Sequence, residues 1–119
     1  MNTVLWILQI VLALIFLGAG LLKTTRSLAA LETRVGGWVH DVPLPVIRLT
    51  GVAEVLGAAG LILPRGLDVA PALTYLAAGG LAIAMVGGMV VHAKRGEHKE
   101  VAVNVVLLLL TLFVAVGRF

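Results

Sequence analysis

Thr3 to Leu22, Val69 to Val91 and Val101 to Gly117 carry no charged side chain, and Leu49 to Leu63 carries only Glu54. About 20 apolar residues in a helix cross the ~30 Å hydrocarbon layer of a bilayer, where only helices and closed barrels satisfy every backbone N–H and C=O. The chain is 61% hydrophobic with a mean hydropathy of +1.11, against about 45–50% apolar residues in soluble domains. Burial inside a 119-residue globule cannot absorb that excess. The expected fold is an all-α membrane protein, a single domain over residues 1–119. Its four transmembrane helices fall at about 3–23, 45–63, 69–92 and 100–118, with a short interfacial helix in the first loop. The second span reaches bilayer length if Ile47 and Arg48 are included, the guanidinium snorkelling to the headgroups.

Gly18-Ala19-Gly20 imitates a signal-peptide cleavage site, but Met1 to Thr3 holds no Lys or Arg, so the first helix is expected to stay. With no cysteine, the chain offers no disulfide, iron–sulfur or thiolate-zinc chemistry. The net charge of +3 does not indicate nucleic-acid binding, because the nine Lys and Arg lie at helix ends and form no continuous face. Lys23, Arg26, Arg34 and Arg48 in the first loop and Lys94, Arg95 and Lys99 in the third outweigh Arg65 and Arg118 on the other side. The positive-inside rule puts loops one and three in the cytoplasm and both termini outside.

Leu28, Leu31 and Val35 recur at helical spacing in the first loop, Gly36-Gly37 stops that helix, and Trp38 suits the headgroup region. Pro64-Arg65-Gly66 is expected to be a tight turn, with Pro71 in the first turn of the third span. Small residues at spacings of about four (Gly80, Ala84 and Gly88 on the third span, Ala53, Gly57 and Gly60 on the second, Ala13 and Gly20 on the first) predict closely packed helices with little room for a channel. On the fourth span, Asn104, Leu108, Thr111, Ala115 and Arg118 form an inward stripe.

Glu54 is the most informative residue. A carboxylate about two turns beyond Arg48 lies near the hydrocarbon boundary and needs a partner or a proton. Thr50, one turn earlier, is placed to donate a hydrogen bond to it, and Gly51 leaves space over that face. Lys23 ends the first span, His92 ends the third and Asn104 begins the fourth on the same side, so each helix sends one polar group to a common depth. This set has two readings. Lys23, Arg48, Thr50, Glu54, His92 and Asn104 can bind a ligand, or Lys23 can simply neutralise Glu54 while Asn104 bonds across helices and His92 sits at the interface. The segment from His92 to Glu100 mixes histidines and carboxylates with cations in no known ligand spacing, so a metal site is not expected and attraction to anionic headgroups is the simpler account.

Phe16 to Lys23, Pro43-Leu44-Pro45, Arg48-Leu49-Thr50-Gly51-Val52-Ala53-Glu54-Val55-Leu56-Gly57 and Gly60-Leu61-Ile62-Leu63-Pro64 together resemble the DoxX-like family of small four-helix membrane proteins. His92 after the third span and Arg118 near the C-terminus extend the likeness over nearly the whole chain. The resemblance implies a four-helix bundle with the family's polar positions at Lys23, Glu54 and His92. Some members are linked to quinone-dependent sulfur oxidation or to membrane complexes of oxidative stress, and related eukaryotic proteins act as chaperones or cargo receptors, so fold transfers better than function.

Three functions are open at this point. The first is an accessory membrane subunit whose pocket, on the cytoplasmic side, binds a small lipophilic molecule such as a quinone, any electron transfer being carried by that molecule or by a partner redox protein. The second is an enzyme (isomerase, cyclase or hydrolase) in which Glu54 and His92 are catalytic acid and base on a hydrophobic substrate. The third is a proton-coupled exporter, which would need a homo-oligomer formed through the glycine seams. Membrane lipids are the expected surroundings of all three.

Overall fold

The structure, a computed structural model, describes residues 1–70 and 72–119. It is all-helical: α1 (Asn2–Thr25), α2 (Leu28–Val35), a 3-10 turn (Gly37–His40), α3 (Leu44–Gly66), α4 (Ala72–Lys94) and α5 (His98–Arg118). The helices α1, α3, α4 and α5 are each long and apolar enough to cross a membrane. The molecule measures 40 Å along its longest axis, close to the ~40–45 Å of a bilayer with its headgroups.

Leu5, Leu12 and Phe16 of α1, Ala58 and Leu61 of α3, Ala78, Leu81 and Met85 of α4 and Val114 of α5 form the buried core. Leu14, Leu49, Leu56, Ile83 and Leu109 are exposed. In water so large an apolar exterior would drive aggregation; against lipid tails it is the solvated face. The most extensive packing joins α1 to α3 and α4 to α5, α3 to α4 links the two pairs, and α1 touches α5 only lightly.

The first loop folds as a cap over one end. Ser27 Oγ accepts from Ala30 N at 3.2 Å and starts α2, and Gly36 at φ 115° supplies the left-handed residue that ends it. Leu31, Val39 and Ile47 then bury one another in a small satellite core beside Trp38, whose Nε1 donates to Val35 O at 3.0 Å.

Two expectations change. The sequence placed a turn at Pro64-Arg65-Gly66, but α3 runs through Pro64 to Gly66. A proline this close to the end removes one ladder bond, and Leu67 N to Leu63 O (2.8 Å) and Val69 N to Pro64 O (2.9 Å) continue the hydrogen bonding past it. The reversal falls at residues 67–70, where Asp68 and Ala70 take positive φ; Pro71 lies outside the described residues. The uniform close packing expected of the glycines is also only partly found. An added Cβ on Gly57 would meet Leu81 at 2.7 Å and one on Gly60 would meet Ala77 at 2.6 Å, so α3 and α4 do touch there. Nothing lies within 4 Å of one on Gly80. Gly80 faces away from those contacts and, with Gly87 and Gly88 further along α4, borders a cleft between the two helices.

Candidate functional site

Close approach of α1 and α3 sets the first part of the site. A Cβ on Gly51 would lie 2.7 Å from Lys23 Cβ and 2.9 Å from Gly20 O, and one on Gly20 would lie 2.6 Å from Gly51 O. Only a pair of glycines permits this spacing, and it places Lys23 Nζ 2.6 Å from Glu54 Oε1. The side chains are 14% and 2% exposed respectively, so a carboxylate in the second span is paired inside the protein, as a charge at that depth requires. Gly20→Ala is expected to cost about 1–3 kcal/mol through overpacking, read as a lowered midpoint in thermal unfolding, whereas Gly18→Ala, with nothing within 4 Å of its Cβ, leaves it unchanged.

The cleft beside this pair has a volume of about 510 Å³. Lys23, Thr50, Glu54, His92 and Asn104 give it polar groups, and Trp38, Val46, Ala53, Ile83, Ala84 and Met85 supply apolar wall. Asn104 of α5 projects over Gly88 of α4, its amide nitrogen being the atom nearest to where a Cβ would stand. A second groove of about 490 Å³ shares Ala53, Gly80 and Ala84 with the first and continues toward Pro64 and Leu73 at the other end of the bundle. The opening is lateral, past exposed Leu49 and Ile83.

Two sequence candidates take other roles. Thr50 Oγ donates to Val46 O of its own helix at 2.8 Å, not to Glu54; the backbone carbonyl one turn back competes for a Thr hydroxyl. Arg48 turns inward and donates from Nη1 to Lys23 O at 2.8 Å, closing the end of α1, and it lies outside the cleft lining.

His92 is held by a residue that the sequence did not single out. Glu97 Oε1 lies 2.8 Å from His92 Nδ1 and 3.2 Å from Arg95 Nε, and Arg95 Nη1 pairs with Asp41 in the loop between the 3-10 turn and α3. Gly96 at φ 72° makes the reversal that brings Glu97 back on His92. The hydrogen-bonded His92 ring, with Arg95 second, holds the Glu97 carboxyl below the usual carboxylate range, and the Asp41 and Glu97 carboxylates hold the Arg95 guanidinium more firmly protonated. The Trp38 ring sits between the two sides of the mouth, edge-on to His92 at 5.9 Å and 5.8 Å from Lys23 Nζ. A carboxyl whose folded pKa is depressed contributes stability above its unfolded value, near 4.5, and loses it as pH falls through the lower folded value. In a Trp6→Phe background, Trp38 emission is expected to shift as pH falls below about 4.5, and Glu97→Gln to remove that transition.

At the opposite end lies a second polar cluster. Gln9, fully buried in α1, donates to Leu61 O at 2.6 Å and accepts from Arg118 Nε at 2.7 Å. Arg118 Nη1 donates to Asn2 Oδ1 at 2.8 Å, and its guanidinium carbon lies 5.5 Å from the Trp6 ring. Thr111 and Arg118, two of the five residues that the sequence turned inward on α5, are buried, and Val114, outside that stripe, is buried with them.

No curated protein and no solved structure matches the chain. A family model described as the DoxX-like family matches residues 7–114, which takes in the second and third spans whole, most of the first and fourth, and both polar clusters except Asn2, Trp6 and Arg118. With that match over almost its whole length, and with the four-helix architecture just described, the chain belongs to the DoxX-like family of membrane proteins.

Proposed function

We propose that this DoxX-like protein is an accessory subunit of a redox or stress-related membrane system, holding a small lipophilic molecule in the cleft between α3 and α4. The supporting observation is the division of that cleft: Lys23, Glu54, His92 and Asn104 stand at one end and an apolar wall at the other, open sideways to lipid. A quinone suits it, because Lys23, His92 and Asn104 can donate to carbonyl oxygens while the continuing groove takes an apolar tail. The molecule enters from the bilayer, since the mouth facing loops one and three is covered by the 3-10 turn and tied to the α4–α5 turn by Arg95 and Asp41. The basic residues of loops one and three support a cytoplasmic position for that end.

Extraction of the purified protein followed by mass spectrometry is expected to find a small lipophilic molecule enriched over bulk lipid, and depleted in Glu54→Gln. No enrichment, with no change in the variant, overturns the proposal. The catalytic alternative has one observation of its own: Glu97 engages His92 Nδ1, leaving Nε2 as the ring atom to exchange a proton with a bound molecule. It expects the co-purified molecule to be consumed by the wild type and not by His92→Ala.

A further inference from the structure

The cluster at the far end of the bundle has a charge that its neighbours do not balance. Arg118 is 7% exposed, and its described partners, Gln9, Asn2 and the Trp6 ring, are all neutral. Arg65, in the last turn of α3, adds a second cation at the same end of the bundle. An arginine at the end of a span ordinarily snorkels to the headgroups; this one is turned inward.

Among the described residues, only two buried side-chain atoms have no hydrogen-bond partner: Arg118 Nη2 and Thr74 Oγ. The helix register brings them to one level. Gly88 faces Asn104, and fourteen residues back along α4 and fourteen on along α5 lie Thr74 and Arg118. Fourteen residues is two heptads, the interval at which antiparallel packed helices present the same faces again. Both unmet atoms carry hydrogens to give, and a guanidinium nitrogen can do nothing but donate. Arg118 Nη2 lacks an acceptor and Thr74 Oγ can donate to the same one; with neither Arg65 nor Arg118 in an ion pair among the described residues, the acceptor that also balances charge is negative.

We infer that this end of the bundle is an oxyanion site, in which a carboxylate or phosphate oxygen accepts from Arg118 Nη2 and Thr74 Oγ. Arg65, exposed at the rim, is the first cation the anion meets. Asn2, exposed in the first turn of α1, lends Arg118 a neutral oxygen that the anion displaces. The group comes from a lipid headgroup or from a free anion; the chemistry is the same. The site is independent of the cleft near Lys23.

The test is thermal unfolding of the full chain in a neutral detergent, titrated with inorganic phosphate, acetate, or phosphatidic acid in mixed micelles, against chloride at equal ionic strength. At least one oxyanion is expected to raise the midpoint saturably beyond chloride. A response to phosphatidic acid alone identifies a lipid headgroup, and a response to phosphate or acetate identifies a free anion. Thr74→Val is expected to weaken the apparent affinity, and Arg65→Gln to weaken it about three- to tenfold, the equivalent of one screened charge. Arg118→Gln is expected to abolish the response; if that variant fails to fold, Thr74→Val and Arg65→Gln carry the test. No response beyond chloride in the wild type, or responses unchanged in Thr74→Val and Arg65→Gln, overturns the site and leaves an enclosed water as the acceptor.

Discussion

Replacing Lys23 by Met is expected to destabilise the bundle by about 3–5 kcal/mol, because it strips the ammonium from a buried carboxylate and leaves the charge uncompensated. Glu54 has 2% of its side chain exposed and so has no water to fall back on. The converse change is milder: in Glu54→Gln the ammonium, 14% exposed, can bend its four-carbon stem toward the headgroups. Removing both charges in Lys23→Met with Glu54→Leu is expected to return stability to near the wild-type value, since an apolar pair avoids the desolvation that the ion pair must offset. Reversible unfolding in mixed micelles, analysed as a double-mutant cycle, measures the coupling directly. A Lys23→Met variant no less stable than a surface substitution, within about 0.5 kcal/mol of wild type, contradicts the paired geometry.

The next largest effect is expected at Gln9. Gln9→Leu keeps the volume but removes the acceptor of Arg118 Nε and the donor to Leu61 O, two bonds that tie α1 to α5 and α3. A hydrogen bond to a charged group contributes about 1.5–3 kcal/mol, and loss on that order is expected in the same unfolding assay. Asn2→Ala removes the other amide acceptor, but from an exposed first turn that water and headgroups reach. Its cost is expected to be smaller, about 0.5–1 kcal/mol. Equal costs at the two positions would mean that Gln9 is not the buried link between these helices.

Charge was the clearest signal in the sequence, and it located one polar end better than the other. Glu54 stands out because a carboxylate inside an apolar run must find a partner, and Lys23, at the end of the neighbouring span, was a cation on that side at a similar depth. Gln9 carries no charge to mark it. A neutral amide leaves a span uncharged, yet in lipid it must bond to something, and its position two turns inside the first span was the available clue. Glu97 was lost among the charges of a basic turn; only the left-handed Gly96 folds it back on His92. Thr50 was misplaced because spacing along a helix says which side chains share a face and not whether a hydroxyl prefers its own backbone. Small residues carried a similar ambiguity. Gly20, Gly51, Gly57 and Gly60 admit a neighbouring helix, whereas Gly80 borders the cleft, and the sequence pattern is the same for both uses.

Gly80 also offers the most direct test of the central claim that the space between α3 and α4 holds a lipophilic molecule. Gly80 borders the cleft and a Cβ there meets nothing within 4 Å, so Gly80→Phe is expected to obstruct the space with little strain. Native mass spectrometry of the wild type and this variant, purified identically, is expected to show a bound small molecule on the first and none on the second, with unfolding midpoints alike. Equal occupancy in both, or a bare wild-type protein, would contradict it.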